Sequence, residues 1–174
     1  MTYSNITINL KKVKIVFSKV LYPTDCSEPC RKVVEYLKKL KGAGTKEIII
    51  LHVIDEHELD LLREGCVWLE VEKGGSVKEC LDKMKNKKRE EAEKEIEEIR
   101  KELEDEGISV RVQVESGVPY KKIIETAEKE NVSLIVMGSH GKGVLKELLI
   151  GSVSENVVRH TKKPVLIIRL KKGV

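Results

Sequence analysis

The chain is predicted to be α/β, with a doubly wound, five-stranded parallel sheet in the order 3-2-1-4-5 and helices on both faces. Three observations carry this prediction. Short aliphatic, β-branched runs recur along the chain, and helical periodicity fills the gaps between them. Strands alternating with helices imply parallel pairing through right-handed crossovers. Glycines follow the fourth run at once, where winding reverses and an open sheet leaves a crevice at its carboxyl ends.

The first strand is read within Val13 to Tyr22, most firmly from Ser18, and is ended by Pro23, Thr24 and Asp25. Asp25 and Ser27 are both suited to cap the next helix. There Val33, Val34, Leu37 and Leu40 recur at helical spacing, and Gly42 and Gly44 stop it. Glu47 to Val53 holds four consecutive aliphatics, as in a strand buried on both faces. Leu59, Leu61, Leu62, Trp68 and Leu69 suggest a short helix and an apolar contact surface within residues 55–75. A long helix follows from Val77 to Glu106, with Val77, Leu81, Met84, Ala92, Ile96, Ile99 and Leu103 as its apolar stripe. Val110 to Glu115 alternates as a strand. Pro119 opens a helix that turns Ile123, Ile124 and Ala127 inward and ends at Asn131. Leu134 to Met137 is the fourth strand, Val153 to His160 a helix, and Val165 to Leu170 the last strand.

Composition narrows the function classes. The chain has 174 residues, 40% of them hydrophobic, which suits one folded domain over 1–174. Residues 1–12 read as an N-terminal extension and 55–75 as an insertion after the second strand. Net charge is +4 from 33 basic and 29 acidic residues, a mixed surface rather than a basic footprint. Aromatics are 3%, too few for stacking platforms, so no nucleic-acid partner is expected. No apolar run approaches the roughly 20 residues of a membrane helix. The first ten residues do not read as a signal peptide, and the expected location is the cytoplasm. The cysteines Cys26, Cys30, Cys66 and Cys80 form no C-x-x-C pair and have no histidine cluster, which argues against zinc. Cys26 and Cys30 lie four apart near a helix start. A reactive thiol is one reading; two reduced, packed side chains is the plainer one.

The most informative motif is Gly138-x2-Gly141-x9-Gly151-Ser152. A parallel strand that empties through glycines onto a helix N-terminus leaves backbone N–H groups pointing at one place, and these and the helix dipole favour an anion. Glycine lets the backbone approach a ligand closely. Gly143 lies at the right distance from Gly138 for a Walker A loop, but Val144 and Leu145 follow it instead of Lys-Ser/Thr. No G-x-G-x-x-G follows the first strand, so the dinucleotide fingerprint is absent as well.

This spacing resembles that of the ATP-binding subgroup of the universal stress protein family. The resemblance extends to Lys19 through Ser27, Ile48 through Val53 and Lys163 through Ile168. It implies a cytoplasmic, ATP-binding regulatory protein with an adenine nucleotide α-hydrolase-like sheet, and with Mg²⁺ as a companion of the nucleotide. Gly138 and Gly141 would then pass close to ribose and phosphates, while Gly151, Ser152 and Val153 would offer N–H groups. A turn with a serine cap is the plainer alternative. Asp25 would bind ribose, adenine or a divalent ion, or simply cap a helix. Val53 matches the family position whose backbone reads the adenine edge, and could equally be core. Pro23 and Thr24 would shape the pocket wall, and Met137 would pack beside the base. Ser139, His140 and Lys142 lie in the loop, where the last two face either phosphate or solvent. His52 reads as satisfying a backbone carbonyl; His57 and His160 show no partner in sequence.

The family resemblance also implies a homodimer formed by pairing the strand Val165 to Leu170, with an unidentified protein partner reading the nucleotide state. Two other classes remain open: a slow ATPase or phosphotransferase, and a nucleotide-independent interaction module. No dedicated hydrolytic set is visible beyond Asp25, His140 and Lys142.

Overall fold

Each β-strand here sends alternate side chains to opposite faces, and both faces are apolar, so the sheet has to be covered on both sides. The computed structural model describes residues 17–73, 75–139 and 150–169. In chain order the elements are β1 Lys19–Thr24, α1 Glu28–Leu40, β2 Glu47–Asp55, α2 Glu56–Lys73, α3 Val77–Asp105, β3 Ser109–Gly117, α4 Pro119–Lys129, β4 Leu134–Gly138, α5 Ser152–His160 and β5 Val165–Ile168. The strands form one sheet in the order β3-β2-β1-β4-β5, and every pairing is parallel. This is the predicted topology.

The two faces divide the core. Val20, Tyr22, Ile48, Ile50, Leu134 and Val136 pack against Val33 and Leu37 of α1 and Ile96, Ile99 and Leu103 of α3. The alternate residues Leu21, Ile49, Leu51, Ile135 and Met137 pack against Ile123 and Ala127 of α4 and Val157 of α5. Helices α1 and α3 thus cover one face, and α4 and α5 the other. The right-handed crossovers carry the chain outward from β1 to β3, then back past β1 to β4 and β5.

Several elements are longer than the sequence suggests. β1 continues through Pro23 and Thr24, which sit in register with Leu51 and His52. Pro23 keeps its carbonyl for pairing while lacking only the donor. The segment after β2 is not a short helix but the 18-residue α2. α1 tightens into a 3-10 turn, Lys41–Ala43, and Gly44 closes it at φ 95°. Ile124 is half-buried rather than core, and Asn131 ends α4 in the left-handed region at φ 47°. Residues 1–12, read as an extension, lie outside the described residues, as does Leu170.

At the amino ends of the strands, charge replaces apolar cover. Arg111 on β3 bonds Glu47 of β2 and Glu130 beyond α4, each at 2.6 Å, and Gln113 also donates to Glu130 at 3.2 Å. The Arg111 guanidinium beside Glu130 holds its carboxyl below the usual carboxylate range. The stability this confers is complete above the ordinary carboxylate pKa. It is lost as pH falls through that value toward the lower one. Glu130→Gln should therefore flatten the acid side of the stability curve, measured as urea midpoints between about pH 3 and pH 7. Equal acid sensitivity in the two proteins would show that the network contributes nothing to it.

Candidate functional site

The sheet opens where its winding reverses. β1 and β4 are in register at Val20↔Leu134 and Leu21↔Ile135. Their other neighbours stay paired further along, β1 to Thr24↔His52 and β4 to Gly138↔Ile168. The carboxyl ends of β1 and β4 are thus each held on one side and released from each other. A cavity of about 650 Å³ occupies this place. That volume lies within the range of small-molecule sites, roughly 300–1,000 Å³.

Nine of the thirteen residues predicted for the site line this cavity. They are Pro23 and Thr24 from β1, Asp25 just after it, Val53 from β2, Met137 and Gly138 from β4, and Gly151, Ser152 and Val153 at α5. Ser139 does not line it. It is buried, and its N–H donates to the Ile168 carbonyl at 2.8 Å. His140, Gly141 and Lys142 lie outside the described residues.

The turn after β1 is built by side chains. The Thr24 hydroxyl accepts from the Cys26 N–H at 3.1 Å. Asp25 Oδ1 accepts from the N–H and the hydroxyl of Ser27, at 3.1 and 2.6 Å. Ser27 is the N-cap residue of α1 but makes no side-chain bond to that helix; its hydroxyl serves Asp25 instead. Cys26 takes the left-handed conformation at φ 59°, unusual for a side chain with a Cβ, and stands in the cavity wall. Its sulfur lies 3.7 Å from His52 Nδ1. That nitrogen is also 2.9 Å from the Thr24 carbonyl, which can only accept, so Nδ1 carries the proton. His52 therefore pins β1 to β2, as its position among aliphatics suggests. His160 does find a partner: its Nδ1 lies 2.8 Å from the Asn156 carbonyl, and its ring lies near that of Tyr120.

Opposite stands the amino end of α5. Gly151 is its N-cap, and the first intrahelical bond runs from Glu155 N–H to the Gly151 carbonyl at 2.9 Å. The N–H groups of Ser152, Val153 and Ser154 precede that bond and have no carbonyl one turn back. The expected Gly151 donor is different: its N–H is already bonded to the Ser139 carbonyl at 2.7 Å. Gly151 thus anchors the corner instead of facing the cavity as a donor. Ser154, not foreseen from sequence, is buried and donates its hydroxyl to the Gly138 carbonyl at 3.0 Å. These two bonds lock the start of α5 to the end of β4.

The third wall was also missed. Glu58 of α2 and Lys88, Glu91, Ala92 and Glu95 of α3 line the cavity, with Glu58 ion-paired to Lys88. In sequence Lys88, Glu91 and Glu95 look like a solvated helix face; only the packing of α2 and α3 by the end of β2 brings them and Glu58 to the cavity. With Asp25 and Asp55 they make that wall acidic, while the α5 end carries the positive pole of a helix. Such a cavity suits a ligand with an anionic end and an uncharged, hydrogen-bond-donating end. Among the described residues no group of acidic, histidine or cysteine side chains could hold a metal ion by itself. No helix among them is long and apolar enough to cross a membrane.

Comparison with known proteins agrees with this geometry. The profile described as the universal stress protein family matches residues 17–169. Universal stress protein MJ0577 of Methanocaldococcus jannaschii is 42% identical over 160 residues, 91% of this chain and 99% of that protein. Universal stress protein YxiE of Bacillus subtilis is 30% identical over 155 residues, 88% of this chain and 100% of that protein. The solved structure of MJ0577 superposes with a TM-score of 0.77 at 41% identity, covering 91% of this chain and 99% of that one. The universal stress protein from Archaeoglobus fulgidus in complex with dAMP shares the fold, with a TM-score of 0.59 at 16% identity, over 88% of this chain and 98% of that one.

The Ser154 bond gives the site a stability test. Ser154→Ala leaves the buried Gly138 carbonyl without this donor and should destabilise the fold by about 1–3 kcal/mol in urea unfolding. A change within error of zero would mean that the β4–α5 corner does not depend on this bond.

Proposed function

The chain belongs to the universal stress protein family, and we propose that it is an ATP-binding regulatory member whose nucleotide occupancy is read by another protein or by a second subunit. One observation carries the reading: α5 presents three amides without intrahelical partners across a cavity from Pro23, Thr24, Asp25 and Val53. The triphosphate lies at the amino end of α5, held by the N–H groups of Ser152 and Val153 and by the Ser152 hydroxyl. Gly138 gives the chain close approach to the phosphates, and His140, Gly141 and Lys142 follow it in sequence. The base sits between Met137 and the β1 end, with the Val53 backbone at its edge and Asp25 toward the ribose. The acidic wall of α2 and α3 faces the uncharged end of the ligand. The dAMP complex of the Archaeoglobus protein supports this ligand class at the level of fold alone.

Mg²⁺ accompanies the nucleotide in this reading. It favours one or two carboxylates plus substrate phosphates over an all-protein cage. Asp25 is the carboxylate at the β1 end that fits such a role.

Millimolar ATP with Mg²⁺ should raise the thermal midpoint, with stabilisation near 2.7 kcal/mol at a hundredfold excess over Kd. Asp25→Ala should weaken binding by on the order of tenfold, a loss of about 1.4 kcal/mol. An unchanged midpoint at saturating nucleotide would refute the binding reading.

We place a homodimer contact at β5. Among the described residues β5 pairs with β4 on one side, and its other edge offers unshared backbone groups. Half-exposed Leu166 lies on this strand. Pairing with a second copy satisfies that edge around a two-fold axis. Sedimentation should report a dimer for the native chain and a shift toward monomer for Leu166→Glu. A native monomer at micromolar concentration would remove the dimer from the account.

A further inference from the structure

α2 packs on α3 and β2 with little of its surface fully buried. Among its described side chains only Cys66 is buried, whereas Leu61 is 68% exposed and Trp68 78%. It is also joined to α3 covalently: Cys66 forms a disulfide with Cys80, 14 residues on. The Cys66 sulfur also lies 3.7 Å from that of Met84, and the half-buried Glu58–Lys88 ion pair adds a further link. A single ion pair open to water on one side contributes little. The tether matters to the cavity because α2 supplies Glu58 to its wall and α3 supplies Lys88, Glu91 and Glu95. Unfastening α2 takes Glu58 out of that wall and breaks its ion pair with Lys88.

We propose that the Cys66–Cys80 disulfide is a redox-sensitive fastener that holds α2, and with it Glu58, at the cavity wall, and that its reduction frees α2 while the sheet stays folded. The two sulfurs differ in access. Cys66 is fully buried, whereas Cys80 is half-buried at the outer end of α3. A dithiol reductant therefore attacks the Cys80 sulfur as thiolate. The S–S bond breaks, and Cys66 leaves as thiolate and takes up a proton. The second thiol of the reductant then displaces Cys80, closing the reductant into its own disulfide. Two electrons and two protons pass to the protein, which ends with two free thiols. The sheet needs no part in this, since its helical cover on the α2 side comes from α1 and from Ile96, Ile99 and Leu103 of α3, beyond the cross-link.

The test uses the full chain before and after dithiothreitol, with hydrogen exchange read by mass spectrometry. Before reduction, alkylation of the unfolded chain should label two of the four cysteines, and afterwards all four. Reduction should speed exchange across α2 by about tenfold or more while the β1, β2 and β4 amides keep their protection. Cys66→Ser combined with Cys80→Ser should reproduce the reduced pattern without reductant. Four labelled cysteines before reduction, unchanged α2 exchange after it, or a rise spread equally over the sheet would each overturn the proposal. ATP affinity measured in both states should fall several-fold on reduction; binding that is equal in the two states would contradict the role of α2 in the cavity wall. If ATP binds in neither state, the nucleotide reading fails, and the α2 exchange result still decides the fastener.

Discussion

A parallel sheet wound outward in both directions from a central strand cannot close over its own carboxyl end. β1 is that strand, and β4 stands beside it after the winding has reversed. The two share register only at Val20↔Leu134 and Leu21↔Ile135. Past that point each keeps its outer neighbour, so the gap between them is rigid on both sides. The turn at Thr24 and Asp25, the glycine at the end of β4 and the start of α5 are all placed by this one divergence. Apolar packing on both faces fixes it, because the side chains that bury toward α1 and α3 alternate with those that bury toward α4 and α5.

Where the backbone diverges, polar groups decide what the gap can accept. The Gly151 N–H and the Ser154 hydroxyl are used to hold α5 against the end of β4. The amides left over at the first turn of α5 are those a phosphate would take. Across the cavity lie carboxylates from three elements and the single lysine of that wall, itself paired with Glu58. The polarity therefore runs from donor-rich to acceptor-rich, and it orients an elongated ligand. The acidic side takes Glu58 from α2, a helix cross-linked to α3.

The sheet order was legible because its signals are local. Ile48 to Leu51 is an apolar run too short for a helix, and Leu134 to Met137 leads straight into glycine. The β1 turn and the α5 start were legible because their residue types have few other uses. The details depend on three-dimensional pairing, and there the sequence misleads. Nothing in Gly151 alone reveals that Ser139 takes its N–H. Glu91 and Glu95 look like solvated helix positions until α2 and α3 pack by the end of β2. The Cys66–Cys80 pair has no motif; a spacing of 14 becomes a cross-link only because two helices double back on each other. The 18-residue length of α2 was hidden by its scattered apolar positions, which leave Leu61 and Trp68 facing outward.

The central claim is that the open amides at the start of α5 receive the phosphates of an adenine nucleotide. Amide NMR of ¹⁵N-labelled protein titrated with Mg²⁺–ATP reads those groups one by one. The account predicts the largest shifts at Ser152, Val153 and Ser154, with smaller ones at Asp25 and Val53. Shifts clustered on another surface, with the α5 amides unmoved at saturation, would contradict it.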